Sequence, residues 1–434
     1  MVSVGLIIPT WFYWNKPFAH QPLTQLYLAT LIDEHFNGKG VKVQVIDLRG
    51  FAGGFMKYRI PECDLFLYSV TSPDFFEIKS LIGELRVLYP ASKHAAGGAH
   101  INVFPHESSR VFDAIVLGEG EDSLIKLIRD FRNRRMKRIY DLKPNAEPTT
   151  YPFPRRHYIP ESAVVNTGLF KSLGIRSTSA LFARGCPFGC SFCANINRSP
   201  LRIKKAGKIK DEIAYLKREY KIGGIALNDE VCIPLNKKEA VPHLEAIGSM
   251  DIKWKGQTRV GVPAELMRLA RNSGCTELAL GVESASTRVL DIVNKNIKLE
   301  EAKKTIDLCR KNAIKVQMCL IIGLPGEPQN IVSLTKSFIK ETRPDFVMLA
   351  GFCPYPGSAI FDKPRYYGIR RIDRDYSHYG HLIHRFPDYK DDAGMGLPFE
   401  YYPRNRWGKA FSRQEILENI LELQDFLIKK KLNR

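Results

Sequence analysis

Arg184-Gly185-Cys186-Pro187-Phe188-Gly189-Cys190-Ser191-Phe192-Cys193 places three cysteines within eight residues. Three thiolates are one short of the closed tetrahedron of a structural zinc site, and one short of the four cysteines of a ferredoxin-type cluster. The flanking cysteines are remote, at Cys63 and Cys232, and no His lies between His157 and His243. A metal centre built here keeps one coordination position open, and an open position is where chemistry takes place. Gly185 and Gly189 allow the backbone to wrap closely around a bulky group, and Pro187 stiffens the turn. Two plainer readings compete: a zinc site completed by a distant residue, and three unrelated thiols packed as small hydrophobes. The polar, glycine-bearing and tightly spaced segment argues against the second.

Outward from this motif, strand and helix patterns alternate. From Ser177 the strand candidates are 179–184, 224–228, 253–259, 277–282, 315–322 and 346–352, with helical periodicity at 209–220, 238–249, 264–272, 299–312 and 328–341. Six such repeats predict an open, partial (β/α)6 barrel over 176–363. In α/β barrels the functional groups lie at the carboxyl ends of the strands. The cysteine loop follows the first strand, Asn228-Asp229-Glu230 the second and Glu283 the fourth, while Arg259 ends the third. Gly323-Leu324-Pro325-Gly326-Glu327 follows the fifth, and Cys353 and Tyr355 follow the sixth. Every unusual polar or glycine-rich element therefore falls on one rim.

Residues 1–140 repeat the alternation, with apolar runs at 2–8, 41–48, 65–70, 94–96 and 114–117. They predict a doubly wound, Rossmann-like α/β domain with a parallel sheet. The Pro- and Thr-rich stretch 141–175 reads as a linker. Residues 364–434 read as a C-terminal extension. Its His378, His381 and His384 are read as surface residues of a loop or lid. Its last helix starts at Ser412, where Glu415 completes a capping box, and Ile416, Ile420, Leu423 and Leu427 form an apolar stripe.

Composition narrows the class further. The formal net charge is +19, and residues 131–221 hold twenty Lys and Arg against six Asp and Glu. This basic stretch brackets the cysteine motif. It is either a solvated face or the footprint of an acidic partner, such as nucleic acid, a phosphorylated metabolite or an acidic reductase. No aromatic RNA-binding signature favours nucleic acid. There is no apolar run of about 18 residues, so no membrane-spanning helix is expected. Met1–Pro9 reads as a first strand and not as a signal peptide. Nine cysteines with a single cluster of spacing do not make a disulfide framework. A reducing cytoplasm is the expected compartment.

Cys-x3-Cys-x2-Cys, with the aromatic Phe192 before its last cysteine, resembles the signature of the radical S-adenosylmethionine (SAM) enzymes. The resemblance implies a [4Fe-4S] cluster held by Cys186, Cys190 and Cys193, with the fourth iron left for SAM. It further implies reductive cleavage of SAM to a 5′-deoxyadenosyl radical. Gly281-Val282-Glu283-Ser284 is similar to the family's fourth-strand motif, implying that Glu283 accepts the SAM ribose hydroxyls. Leu324-Pro325-Gly326-Glu327 is similar to the fifth-strand turn, implying that Gly323, Pro325 and Gly326 pack near the adenine. Asn228 and Asp229 occupy the second-strand position near the methionyl amine, and Arg259 is placed to pair with the SAM carboxylate or with substrate. Cys353 and Tyr355 are the candidate catalytic residues, with Cys353 as a hydrogen-atom donor from sulfur.

The N-terminal region resembles the cobalamin-binding-type domain that precedes the radical SAM core in one subgroup. The resemblance is carried by Pro22-Leu23-Thr24-Gln25-Leu26-Tyr27, by Gly97-Gly98-Ala99-His100 and by Gly118-Glu119-Gly120-Glu121. It departs from the subgroup's Asp-x-His-x-x-Gly at Asp47-Leu48-Arg49-Gly50, where Arg49 stands at the histidine position. A guanidinium carries no free acceptor lone pair. The expected function is C–H functionalisation, and cobalamin-dependent C-methylation if cobalamin binds. The rival readings are an RNA-modifying radical SAM enzyme of the methylthiolating or thiolating type, and a non-enzymatic iron–sulfur redox sensor. The expected electron donor is a flavodoxin or ferredoxin.

Overall fold

The computed structural model describes residues 1–14, 16–51, 60–143, 151–194, 200–377, 379 and 397–433. These form two compact units, Met1–Asn166 and Thr167–Arg434. His378, His381 and His384 lie outside the described residues.

The first unit is a six-stranded sheet of β1 (Val2–Ile8), β2 (Val41–Asp47), β3 (Leu65–Ser69), β4 (Lys93–Gly97), β5 (Ala114–Val116) and β6 (Ile139–Tyr140). All neighbours are parallel and the order is β2-β1-β3-β4-β5-β6. The apolar runs of β1 and β3 are buried on both faces, as parallel strands flanked by helices must be. One core contains Leu6, Leu67 and Leu127 with α1 (Leu23–Phe36); the other contains Phe66, Phe75 and Ile82 with α2 (Phe75–Leu88). The strand order reverses between β1 and β3, and ligands of such sheets bind outside the carboxyl ends at that point. Gly98, at φ +105°, lies so close to β3's exit that an added Cβ would meet Val70 N and O at 2.8 Å.

Of the expected linker 141–175, the described residues 151–166 belong to the first unit and 167–175 to the second. On the first, Arg155 N donates to Thr30 Oγ1 at 2.9 Å, and Gln21 Nε2 reaches Val164 O at 3.1 Å. Thr167–Leu173 forms a 3-10 turn of the second unit. Its Pro and Thr content marked irregular backbone, but buried donors and acceptors pin that backbone down.

The second unit carries β7 (Ser177–Ala180), β8 (Gly224–Leu227), β9 (Lys253–Arg259), β10 (Cys275–Glu283), β11 (Lys315–Ile322) and β12 (Phe346–Gly351). They are parallel and run in consecutive order, the open six-stranded half-barrel expected. The first strand ends at Ala180, four residues earlier than its apolar pattern suggests. Ala183–Arg184 pairs antiparallel with Arg202–Ile203 instead. The helix expected over 328–341 begins at Ile331, and the terminal helix Arg413–Lys429 has the Ser412/Glu415 capping box and the buried stripe.

Arg49 is 1% exposed. Its Nε and Nη2 donate to the two Asp47 oxygens at 2.8 and 2.6 Å, Nη1 donates to His20 O at 2.6 Å, and Trp11 and Phe18 lie against its face. Arg49→Ala strands Asp47 and opens a cavity, so urea unfolding of the first unit is expected to lose about 3 kcal/mol. Arg49→Lys will not restore it, because an ammonium cannot span both carboxylate oxygens. A loss below about 1 kcal/mol would assign Arg49 no structural weight.

Candidate functional site

The segment 184–193 has no helix or strand beyond Arg184, so its shape depends on what holds it. Gly185 takes φ +91°, in the region that favours glycine. Ser191 N donates to Val293 O at 2.8 Å, Ile360 N donates to Ser191 O at 3.0 Å, and Asn294 Nδ2 donates to Gly189 O at 2.8 Å. Arg259, 8% exposed at the end of β9, donates through Nη2 to Lys295 O and to Asn296 O at 2.9 Å. Its Nη1 stands 3.8 Å from Cys190 Sγ, and its guanidinium carbon lies 4.0 Å from the Phe188 ring centre. Cys190 is therefore fixed from both sides of the loop.

All nine cysteines are free thiols. Burial pushes the Cys186 thiol up, and Cys190 and Glu230 push it the same way, while the Phe188 amide and, less strongly, Arg259 pull it down. Among the described residues no three His, Cys, Asp or Glu side chains converge as a single-ion site requires. The motif offers thiols without imidazole, a soft donor set that suits an iron–sulfur cluster. A cluster takes each thiolate on a different iron, so its sulfurs need not meet at one point.

Glu283 closes β10 at φ +72°, beside a register shift against β11. Its Oε1 accepts from Lys295 Nζ at 2.7 Å, with side chains 12% and 8% exposed. Gly281 makes the space: a Cβ there would meet Glu283 Oε1 at 2.5 Å and Lys295 Nζ at 2.9 Å. In register with Gly281 stand Cys319 and, through β11, Met348. Phe192 lies 6.0 Å from Lys295 Nζ. Cysteine loop, Arg259, Glu283 and Lys295 thus form one connected cluster at the carboxyl ends of β7, β9 and β10.

Other predicted residues are engaged elsewhere. Asp229 is fully buried, and its Oδ1 accepts from Phe182 N at 2.7 Å. Burial raises its carboxyl to about 7, against the pull of the Ala183 and Phe182 amides. It braces the approach to the cysteine loop, and the exposed residue of the pair is Asn228. Ser284 Oγ accepts from Ser286 N at 3.2 Å, within the turn. Cys353 is 4% exposed and its thiol is pushed well up by burial. Tyr355 donates its hydroxyl to Tyr379 O at 3.1 Å. The half-buried thiol on the barrel strands is Cys319, pushed up to about 12 by burial and by Glu283.

Glu327 precedes the helix Ile331–Thr342 by four residues and does not cap it. Its Oε1 accepts from Gly323 N at 2.9 Å and Leu324 N at 3.2 Å, closing the turn on itself. The extension covers this turn: Tyr401 donates to Gly323 O at 2.8 Å, and Trp407 lies against Gly326. Pro325 is buried in the same turn.

Spacing alone did not mark Val293-Asn294-Lys295-Asn296. A usable signal existed: Ser286 caps the short helix Thr287–Ile292, and two Asn follow, both left-handed at φ +52° and +51°. Lys204, which lies in the basic stretch 131–221, is held by buried Glu212 at 2.7 Å.

Residues 181–337 match the model of the Radical SAM superfamily. The anaerobic magnesium-protoporphyrin IX monomethyl ester cyclase of Cereibacter sphaeroides is 27% identical over 71% of this chain and 54% of its own length. The chain therefore spans about half of that relative. An uncharacterized methyltransferase of Pyrococcus horikoshii is 27% identical over 79% of this chain and 78% of its own. The fold matches the radical SAM methyltransferase TsrM of Kitasatospora setae, solved with cobalamin and a [4Fe-4S] cluster, at a TM-score of 0.69. That match covers 97% of this chain and 88% of TsrM at 16% identity. Residues 181–337 thus carry a Radical SAM superfamily domain, and the fold of the whole chain is that of TsrM. Its two units have the order of that fold, a doubly wound domain followed by the half-barrel.

Burial raises the Glu327 carboxyl to about 8, against the pull of the Gly323 and Leu324 amides. Its folded value lies above its unfolded one, so between about pH 4.5 and 8 the folded state holds a proton that the unfolded state has lost. Stability relative to Glu327→Gln should therefore fall as pH rises through that window and level off above it. Urea midpoints of the two proteins at pH 5, 7 and 9 check this; parallel curves would contradict it.

Proposed function

We propose that this enzyme binds a [4Fe-4S] cluster, SAM and cobalamin, and methylates an unactivated carbon of an organic substrate. The observation that carries the reading is the connected cluster of the cysteine loop, Arg259 and the Glu283–Lys295 pair on the barrel rim. The methyltransferase relative and the likeness to TsrM support methylation over RNA thiolation or redox sensing.

In this reading Cys186, Cys190 and Cys193 would each hold one iron of a cluster that, when bound, would supply an electron for reductive cleavage of SAM. Arg259 places positive charge beside Cys190 Sγ. Glu283 accepts the ribose hydroxyls over the space left by Gly281. Exposed Asn228 serves the methionyl amine, and Phe192 and the Gly323–Gly326 turn wall the adenine. Hydrogen-atom donation from Cys353 is not part of the reading, because a methylated carbon needs no such donor.

The first unit suits cobalamin at the β1/β3 switch point, beside the close turn at Gly98. Arg49 is no ligand to cobalt: its lone pairs are delocalised and its donors are committed to Asp47 and backbone carbonyls. Its segment fits a corrinoid held without the histidine of the Asp-x-His motif. The electron donor would be an acidic flavodoxin or ferredoxin, meeting Lys205, Lys208 and Lys210 with Lys204 withdrawn from the set.

Anaerobic reconstitution with iron, sulfide and hydroxocobalamin tests the reading. Iron and corrinoid bands should survive desalting, and SAM with dithionite should yield 5′-deoxyadenosine. Cys190→Ala should lose the iron and keep the corrinoid. A protein that assembles its cluster yet never cleaves SAM would sink the enzymatic reading. Retained iron without corrinoid would sink the cobalamin part alone.

A further inference from the structure

We infer that Lys295 is the positioning residue of the SAM ribose site: its ammonium acts through Glu283, while its own backbone carbonyl secures the cluster loop. The inference rests on the ribose role proposed above for Glu283.

The two ends of Lys295 do separate work. Its carbonyl accepts from Arg259 Nη2, the same guanidinium whose Nη1 faces Cys190 Sγ. Its side chain turns the other way, over Gly281, and donates to Glu283 Oε1 at 2.7 Å. Glu283 needs such a partner. Its backbone is left-handed, a conformation that is costly for a residue with a long side chain. Its side chain is largely removed from water, where an ionised carboxylate without a counter-charge is disfavoured. The ammonium satisfies one oxygen and fixes the plane of the carboxylate, so the remaining acceptor sites point in a set direction. Two adjacent ribose hydroxyls require that fixed direction. One residue thereby ties the position of a cluster cysteine to the orientation of the carboxylate that receives the nucleoside.

Truncating the side chain separates the two roles, because Arg259 bonds to the backbone, which every substitution keeps. Lys295→Met, Lys295→Arg, Glu283→Gln and the Lys295→Met/Glu283→Gln protein, which keeps the parent's net charge, are reconstituted anaerobically. Each is measured for iron content, for the EPR signal of the reduced cluster without SAM, and for radiolabelled SAM affinity by equilibrium dialysis. Lys295→Met should keep the iron and the cluster signal of the parent protein and bind SAM about tenfold more weakly, the loss of one charge-assisted contact. Lys295→Arg should recover affinity to within about threefold, and in the Glu283→Gln background Lys295→Met should change it less than about twofold. Parent-like SAM affinity in Lys295→Met overturns the inference. So does iron loss in step with SAM loss, or a full tenfold effect without Glu283. Should the parent protein itself bind no SAM, the proposed function falls first, which separates the two failures.

Discussion

The rim of the half-barrel depends on one buried cation. The Arg259 guanidinium ends a strand with nearly all its surface removed from water, and it is held by two backbone carbonyls and an aromatic face. Arginine suits this place because its rigid fork can face several partners at once. The cysteine loop has almost no hydrogen-bonded secondary structure of its own. Without Arg259 and the Val293–Asn296 segment, the bonds described at Gly189–Ser191 would shrink to the Ile360 amide and the loop's own Cys193 N to Cys190 O bond, little to oppose its conformational entropy. The same charge lies beside the Cys190 sulfur.

The carboxylates of the rim divide by what surrounds them. Asp229 and Glu327 turn inward and accept backbone amides where strands give way to loops, since a buried N–H needs a partner. Burial then favours their protonated forms. Glu283 has an ammonium beside it and a glycine beneath it. All three are carboxylates, and only the local partners separate a brace of backbone amides from a side chain paired with an ammonium.

Much of the architecture was legible because it rests on periodicity. Two series of strands and helices, one on each side of the cysteine motif, imposed two parallel sheets, and most helix ends fell within a residue or two. The missed boundaries share a cause. Ala180 ends β7 early because its continuation finds an antiparallel partner at Arg202–Ile203, far along the chain. The stretch 151–166 looked like a linker because Pro and Thr mark irregular backbone; its attachment to Thr30 and Gln21 is a long-range matter. At the rim, short motifs located the cysteines, Arg259 and Glu283, but not the loop that joins them.

By itself, the sequence determined the two-part α/β layout, the three-thiol motif and the strand ends on which functional groups lie. These follow from local rules: hydrophobic period, cysteine spacing, and the turn chemistry of glycine and proline. Only the tertiary structure decided which rim residues gather around the cysteine loop and which are consumed as braces. It withdrew Asp229, buried Cys353, occupied Tyr355 and brought forward Lys295. The physical reason is that charge and hydrogen bonding are settled by partners tens of residues away, such as Phe182 for Asp229 and Arg259 for Lys295. No local pattern encodes that choice of partner.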